Sequence, residues 1–139
     1  MPHPPWVPSS EGDGTEIRQP VKELIGDALR ENPHITSIVL CDRQGLPIVN
    51  SAQAKATSAT TLAAMGMLCL GAARRASEAI GAKPPEHLIV HSPDVDLLIL
   101  ALHAAEDCLI AQIKPEANLG LALAVLRSLG ERLTQALRH

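Results

Sequence analysis

The chain has 139 residues, enough for one domain that removes roughly two thirds of its unfolded surface from water, so no disulfide or metal staple is required. A formal charge of -3 and a single aromatic residue, Trp6, argue against a nucleic-acid binder, which presents a basic stripe and often aromatic stacking platforms. No apolar run reaches the roughly 18 to 20 residues that cross a bilayer, and the N-terminus lacks a basic-then-apolar signal pattern, so a cytoplasmic protein without membrane insertion is expected.

Residues 1–19 are rich in Pro, Gly, Ser and acid and carry no periodicity, which reads as a disordered Pro-rich tail ahead of a single domain over 20–139. Trp6 among four prolines has the look of a short docking motif in polyproline conformation, but an unconstrained terminus is the simpler reading. From Pro20 the pattern changes. Val21, Leu24, Ile25, Ala28 and Leu29 recur at helical spacing while Lys22, Glu23, Asp27 and Arg30 face away, so an amphipathic helix is expected to start at Pro20 and to end at Asn32-Pro33.

Ile35 to Cys41 and Leu46 to Ser51 are β-rich runs joined by Asp42-Arg43-Gln44-Gly45, the composition of a hairpin turn. Pro47 cannot donate to a ladder, which places the second strand at an edge. A long small-residue helix is then expected from Thr57 to Ile80. Leu62, Met65, Cys69, Ala73, Ala76 and Ile80 form a stripe with three-and-four spacing, assigned to the sheet. The other side is also apolar. Ala64, Met67 and Gly71 stand where a solvated helix carries charge, and only Arg74, Arg75 and Glu78 make that side polar. A helix apolar nearly all round requires two covers, and one small domain supplies one, so a second chain is expected on the outer side.

Gly81-Ala82-Lys83-Pro84-Pro85 ends that helix. Glu86 to Ser92, Asp96 to His103 and Asp107 to Ile113 follow as three strands, joined by connections short enough for antiparallel neighbours. The middle strand is apolar without alternation, so helices are expected on both faces of the sheet. Asn118 suits the N-cap of a last helix, whose Leu119, Ala122, Leu123, Leu126, Leu129, Gly130, Leu133 and Leu137 form one inward face.

Leu40-Cys41-Asp42-Arg43-Gln44-Gly45-Leu46-Pro47-Ile48, Asn118-Leu119-Gly120-Leu121 and, in the long helix, Ala63-Ala64-Met65-Gly66 resemble motifs of the Roadblock/LC7 family, and with the element order the resemblance covers nearly everything after Pro20. It implies an α/β fold of order α-β-β-α-β-β-β-α, a five-stranded antiparallel sheet with the long helix on one face and the other two helices on the opposite face. It further implies a homodimer that pairs through the long helix and the third strand, and a small Ras-like GTPase as partner. Family members act as GTPase activators, as in bacterial gliding motility, or as scaffolds, as in dynein light chains and lysosomal signalling complexes. On this chain the positions matching the partner-binding face are Ala64, Met67, Gly71, Arg74, Arg75 and Glu78. The chain departs from many bacterial members over Ala122 to Leu126, which is wholly apolar where they carry basic residues.

No chemistry of its own is expected. His87 and His91 share one strand face, with His103 on the expected neighbour, but no further ligands complete a zinc-like set at about 2.0 to 2.3 Å, so no metal and no cofactor are expected. Cys41, Cys69 and Cys108 lack Cys-x-x-Cys spacing and read as free, buried and inert thiols, although Cys41 and Cys108 lie on strands that can be neighbours. No nucleophile elbow and no Gly-x-x-x-x-Gly-Lys loop is present, so the chain is expected not to be an enzyme. Arg74 and Arg75 sit on a rigid helix rather than a reaching loop, which favours ion pairing to a partner over a catalytic arginine finger. The expected function is regulation of a small GTPase. The alternatives are a passive scaffold and, less favoured because Phe and Tyr are absent, a small-ligand sensor.

Overall fold

The computed structural model describes residues 6–52, 58–102 and 107–137, with side chains over 19–51, 58–102 and 107–137. The elements are α1 (Trp6–Glu31), β1 (Ile35–Cys41), β2 (Pro47–Ala52), α2 (Ala59–Ala79), β3 (His87–His91), β4 (Asp96–Leu102), β5 (Asp107–Ile113) and α3 (Leu119–Leu137). The order is the expected α-β-β-α-β-β-β-α. α1 begins upstream of the start read at Pro20, which lies inside it, and overlaps the tail expected to lack structure. The Gly-, Ser- and Pro-containing stretch has low helix propensity and no apolar stripe, so nothing local announced that part of the helix. Trp6 itself, as a docking motif, lies outside the described side chains.

All strand pairs are antiparallel and the sheet order is β2-β1-β5-β4-β3. β2 is an edge strand, as Pro47 requires, and β3 is the other edge. The hairpin turn is closed by Asp42. Its Oδ1 accepts from the backbone N–H groups of Gln44 (2.9 Å) and Leu46 (3.0 Å), and its carbonyl accepts from Gly45 N–H at 2.9 Å. Gly45 has φ 84°, a conformation that side chains with a Cβ rarely adopt, which explains the glycine at the end of the turn.

The sheet divides two cores. On one face Val21, Ile25 and Leu29 of α1 and Leu126, Leu129 and Leu133 of α3 pack on Ile38, Leu98, Leu100 and Leu109. On the other, Leu62, Ala63 and Leu70 of α2 pack on Val39, Ile99, Cys108 and Ile110. β4 contributes to both, Leu98 and Leu100 to the first and Ile99 and Ala101 to the second, as its unbroken apolar run predicts. The predicted stripes of α1 and α3 are the observed inward faces. Asn118 caps α3, its Oδ1 accepting from Leu121 N–H at 3.1 Å.

Candidate functional site

The helix α2 is where the sequence places the partner surface. Ser58 caps it, with Oγ accepting from Thr61 N–H at 3.2 Å, so it starts two residues later than Thr57. Its depth on the sheet is set at Gly66, where a Cβ would lie 2.1 Å from Ile110 Cδ1 and 2.7 Å from its Cγ1. Only a residue without a side chain allows that approach. The sheet side of α2 is therefore Leu62, Ala63, Gly66 and Leu70, all buried, flanked by half-buried Ala59, Met67 and Cys69.

This corrects the expected phase of the helix. Met65 is 47% exposed and Ile80 82%, and Ala76 is exposed, although all three belong to the stripe assigned to the sheet. The observed seam keeps Leu62 but is turned by about 70°, somewhat less than one residue, from the expected one. What turns outward is a second apolar stripe, Thr61, Met65, Leu68, Ala72, Ala76 and Ala79, with Leu68 64% exposed. Leu68, Ala72, Ala76 and Ala79 were not named from sequence as partner positions. Gly66 could have found them, because a glycine that weakens a helix by about 1 kcal/mol relative to Ala marks the side of closest approach.

The six positions drawn from the motif lie on one flank between these two stripes. Ala64 and Gly71 are half-buried, and a Cβ on Gly71 would meet only Arg75 of the same helix. Met67 packs toward the sheet, with its Sδ 3.2 Å from Cys108 Sγ and its Cβ beside Gly45. Arg74, Arg75 and Glu78 are exposed. Arg74 also lines an open cleft of about 810 Å³, shared with Lys83, Glu86 and Leu102. The helix thus offers an apolar ridge with a charged shoulder near its C-terminus.

The β3 edge lies on the same sheet. Ile89 is exposed, as is His91, and His87 is half-buried with Arg127 Nη2 donating to its Nδ1 at 3.5 Å. His91 Nδ1 sits 2.5 Å from Oδ1 of Asp96, its cross-strand partner. Asp96 is buried and its Oδ2 has no hydrogen-bond partner among the described residues. Those pairings already engage His87 and His91, and His103 lies outside the described residues. Among the described residues no three His, Cys, Asp or Glu side chains come together as a metal site, and no helix is long and apolar enough to cross a membrane.

Beneath Met67, Cys41 and Cys108 face each other across β1 and β5 with their Sγ atoms 3.1 Å apart, both buried. The Cys41 thiol is held below its ordinary range by its hydrogen bond with Cys108, while that bond and burial push Cys108 up. Asp107, next to Cys108, is pushed up by burial and then by the charge of Asp42.

No family model and no curated protein matches the sequence. Solved structures do match the fold. A Roadblock/LC7 domain from Streptomyces avermitilis superposes with a TM-score of 0.77 at 20% identity, covering 85% of this chain and 98% of that one. The gliding protein MglB from Thermus thermophilus gives 0.77 at 17% identity, covering 86% and 90%. An MglB with tetrameric arrangement gives 0.78 at 17% identity, covering 86% and 89%. With the strand order, the placement of α2 on one face opposite α1 and α3 and these superpositions together, the chain has the Roadblock/LC7 fold.

Proposed function

We propose that the chain is a non-enzymatic regulator that pairs with a second copy of itself through α2 and binds a small Ras-like GTPase. The observation that carries this reading is the outward apolar stripe of α2. Leaving Leu68 mostly and Met65 about half in water forgoes part of the burial worth about 1.5 to 3 kcal/mol for each fully covered side chain. A second copy is the natural cover, because a twofold contact lets each helix bury the other's stripe with one set of residues. The small residues Ala72, Ala76 and Ala79 let two backbones approach closely. The free edge of β3 supports a second contact, in which two sheets continue through paired third strands. The fold is shared with MglB, and one such structure is described as tetrameric, which agrees with a self-assembling platform.

On the paired platform, Arg74, Arg75 and Glu78 form the charged shoulder that meets the GTPase, beside Ala64 and Gly71, while Met67 anchors the flank from below. Without a phosphate-holding loop, the chain acts by binding one conformation of the GTPase switch regions and shifting its population.

The test is single-turnover GTP hydrolysis by a Ras-like GTPase from the same genome, with and without this protein, with binding to the GDP and GTP-analogue forms read in parallel. Tighter binding to the GTP form and faster hydrolysis are expected, and Arg74→Ala with Arg75→Ala should weaken that binding. Binding at an unchanged rate would identify a scaffold instead of a regulator. Absence of binding to either form would remove the GTPase reading.

A further inference from the structure

Cys41 and Cys108, buried beneath Met67, have no role in the surface just described. Cys41 and Cys108 are directly opposed in the β1–β5 ladder and lie on the same face of the sheet, in the core under α2. Directly opposed residues of an antiparallel pair have Cα atoms about 4.5 to 5.5 Å apart, inside the window of about 4.4 to 6.8 Å that a disulfide spans. Their sulfurs are already 3.1 Å apart, closer than two unbonded sulfurs rest without a hydrogen bond between them. The Cys108 thiol also reaches Met67 Sδ at 3.2 Å, so three sulfurs are gathered at one point. Cys69 stands apart, on a different flank of α2 and half-buried.

We propose that Cys41 and Cys108 are an oxidation site, a dithiol that hydrogen peroxide converts into an intramolecular disulfide stapling β1 to β5. Burial restricts the oxidant to something small, and peroxide is close to water in size. Cys41 is the last residue of β1 and Cys108 the second of β5, beside part-exposed Asp42 and Asp107, and the ladder between β1 and β2 shifts register at Leu40/Cys41. Local opening at such an end needs far less free energy than global unfolding.

The reaction balances without another partner. Cys41 is the attacking sulfur, because it ends β1 at the register shift and its contact with Cys108 favours its thiolate. The thiolate attacks one oxygen of peroxide, the O–O bond breaks, and the departing hydroxide takes up a proton to leave as water. Cys41 is then a sulfenic acid. Cys108 sulfur attacks that Cys41 sulfur, the S–O bond breaks, and the proton of Cys108 leaves with the oxygen as a second water. Two thiols lose two protons and two electrons, and peroxide is reduced to two waters. The product removes the S–H that Met67 Sδ accepts, so oxidation also alters the packing beneath α2.

The experiment uses the reduced, full-length protein, exposed to limiting hydrogen peroxide, alkylated under denaturing conditions and weighed intact. The reduced chain should take three alkyl groups, one for each cysteine. The oxidised chain should take one, on Cys69, with the protein itself lighter by about 2 Da for the two lost hydrogens. A cross-linked peptide pair containing Cys41 and Cys108 should appear and vanish on reduction. Cys69→Ser should form the same cross-link. Cys108→Ser should instead hold Cys41 as a sulfenic acid that dimedone traps. Three alkyl groups after peroxide, a cross-link through Cys69, or only sulfinic and sulfonic products would overturn the assignment.

Discussion

In the proposed self-pairing of α2, Leu68 is the residue on which the contact depends most. It is 64% exposed in the single chain. Scaling the roughly 1.5 to 3 kcal/mol for full burial of a Leu by that fraction gives about 1 to 2 kcal/mol per copy, and a twofold contact contains two copies, so about 2 to 4 kcal/mol. Leu68→Glu removes that term and sets a carboxylate against an apolar surface, which adds about 1 to 3 kcal/mol or more for an unpaired polar group. The sum is about 3 to 7 kcal/mol, a weakening of at least roughly a hundredfold at 1.4 kcal/mol per tenfold. Sedimentation velocity over a concentration series should therefore show a dimer for the parent and a monomer for the variant. Because Leu68 touches no core in the single chain, the variant's far-UV spectrum should match the parent's. Leu121→Glu is the control, a leucine 62% exposed on α3, away from α2, and should leave the mass unchanged. A parent that stays monomeric at high concentration, or a Leu68→Glu protein that remains dimeric, would refute the reasoning.

Two further predictions concern the packing of α2 and its surroundings. Gly66→Ala should destabilise the fold by about 1 kcal/mol net, since a Cβ driven into buried Ile110 costs about 1 to 3 kcal/mol and the gain in helix propensity returns about 1. Ile110→Val removes the closest atom, so the double variant in urea unfolding should be less destabilised than the sum of the two single changes, and strict additivity would deny the close approach. Asp107→Asn should stabilise the protein at pH 7. The folded-state pKa of Asp107 is raised above its ordinary 3.8, so the ionised group opposes folding above that raised value, and the penalty fades as pH falls through it. The gain in urea midpoint should thus shrink between pH 7 and pH 4, and a gain that grows on acidification would contradict the sign.

Most element boundaries were legible because they are written in local chemistry. Asp42 closes its turn with its own carboxylate, Gly45 takes a positive φ, Asn118 caps α3, and Pro33 follows the end of α1, all within a few residues of the feature they define. The amphipathic stripes of α1 and α3 each have one apolar side, so their inward faces could be read from spacing alone. α2 is different. Its residues are apolar nearly all round, so the spacing establishes a helix but carries no sharp phase, and the stripe chosen from sequence, right at Leu62, was turned by about 70° from the buried one. The tertiary structure decides the phase through Gly66, which lets α2 descend onto Ile110 and so turns Met65, Leu68 and Ala76 outward and Met67 inward. The same holds for Cys41 and Cys108. Their proximity depends on the register of two strands 67 residues apart in the chain, a non-local pairing that the turns at either end do not specify. Sequence alone determined the succession of helices and strands and that α2 is apolar on more than one side; only the packed sheet decided which of those residues stay exposed, because closest approach between elements is a property of both surfaces at once.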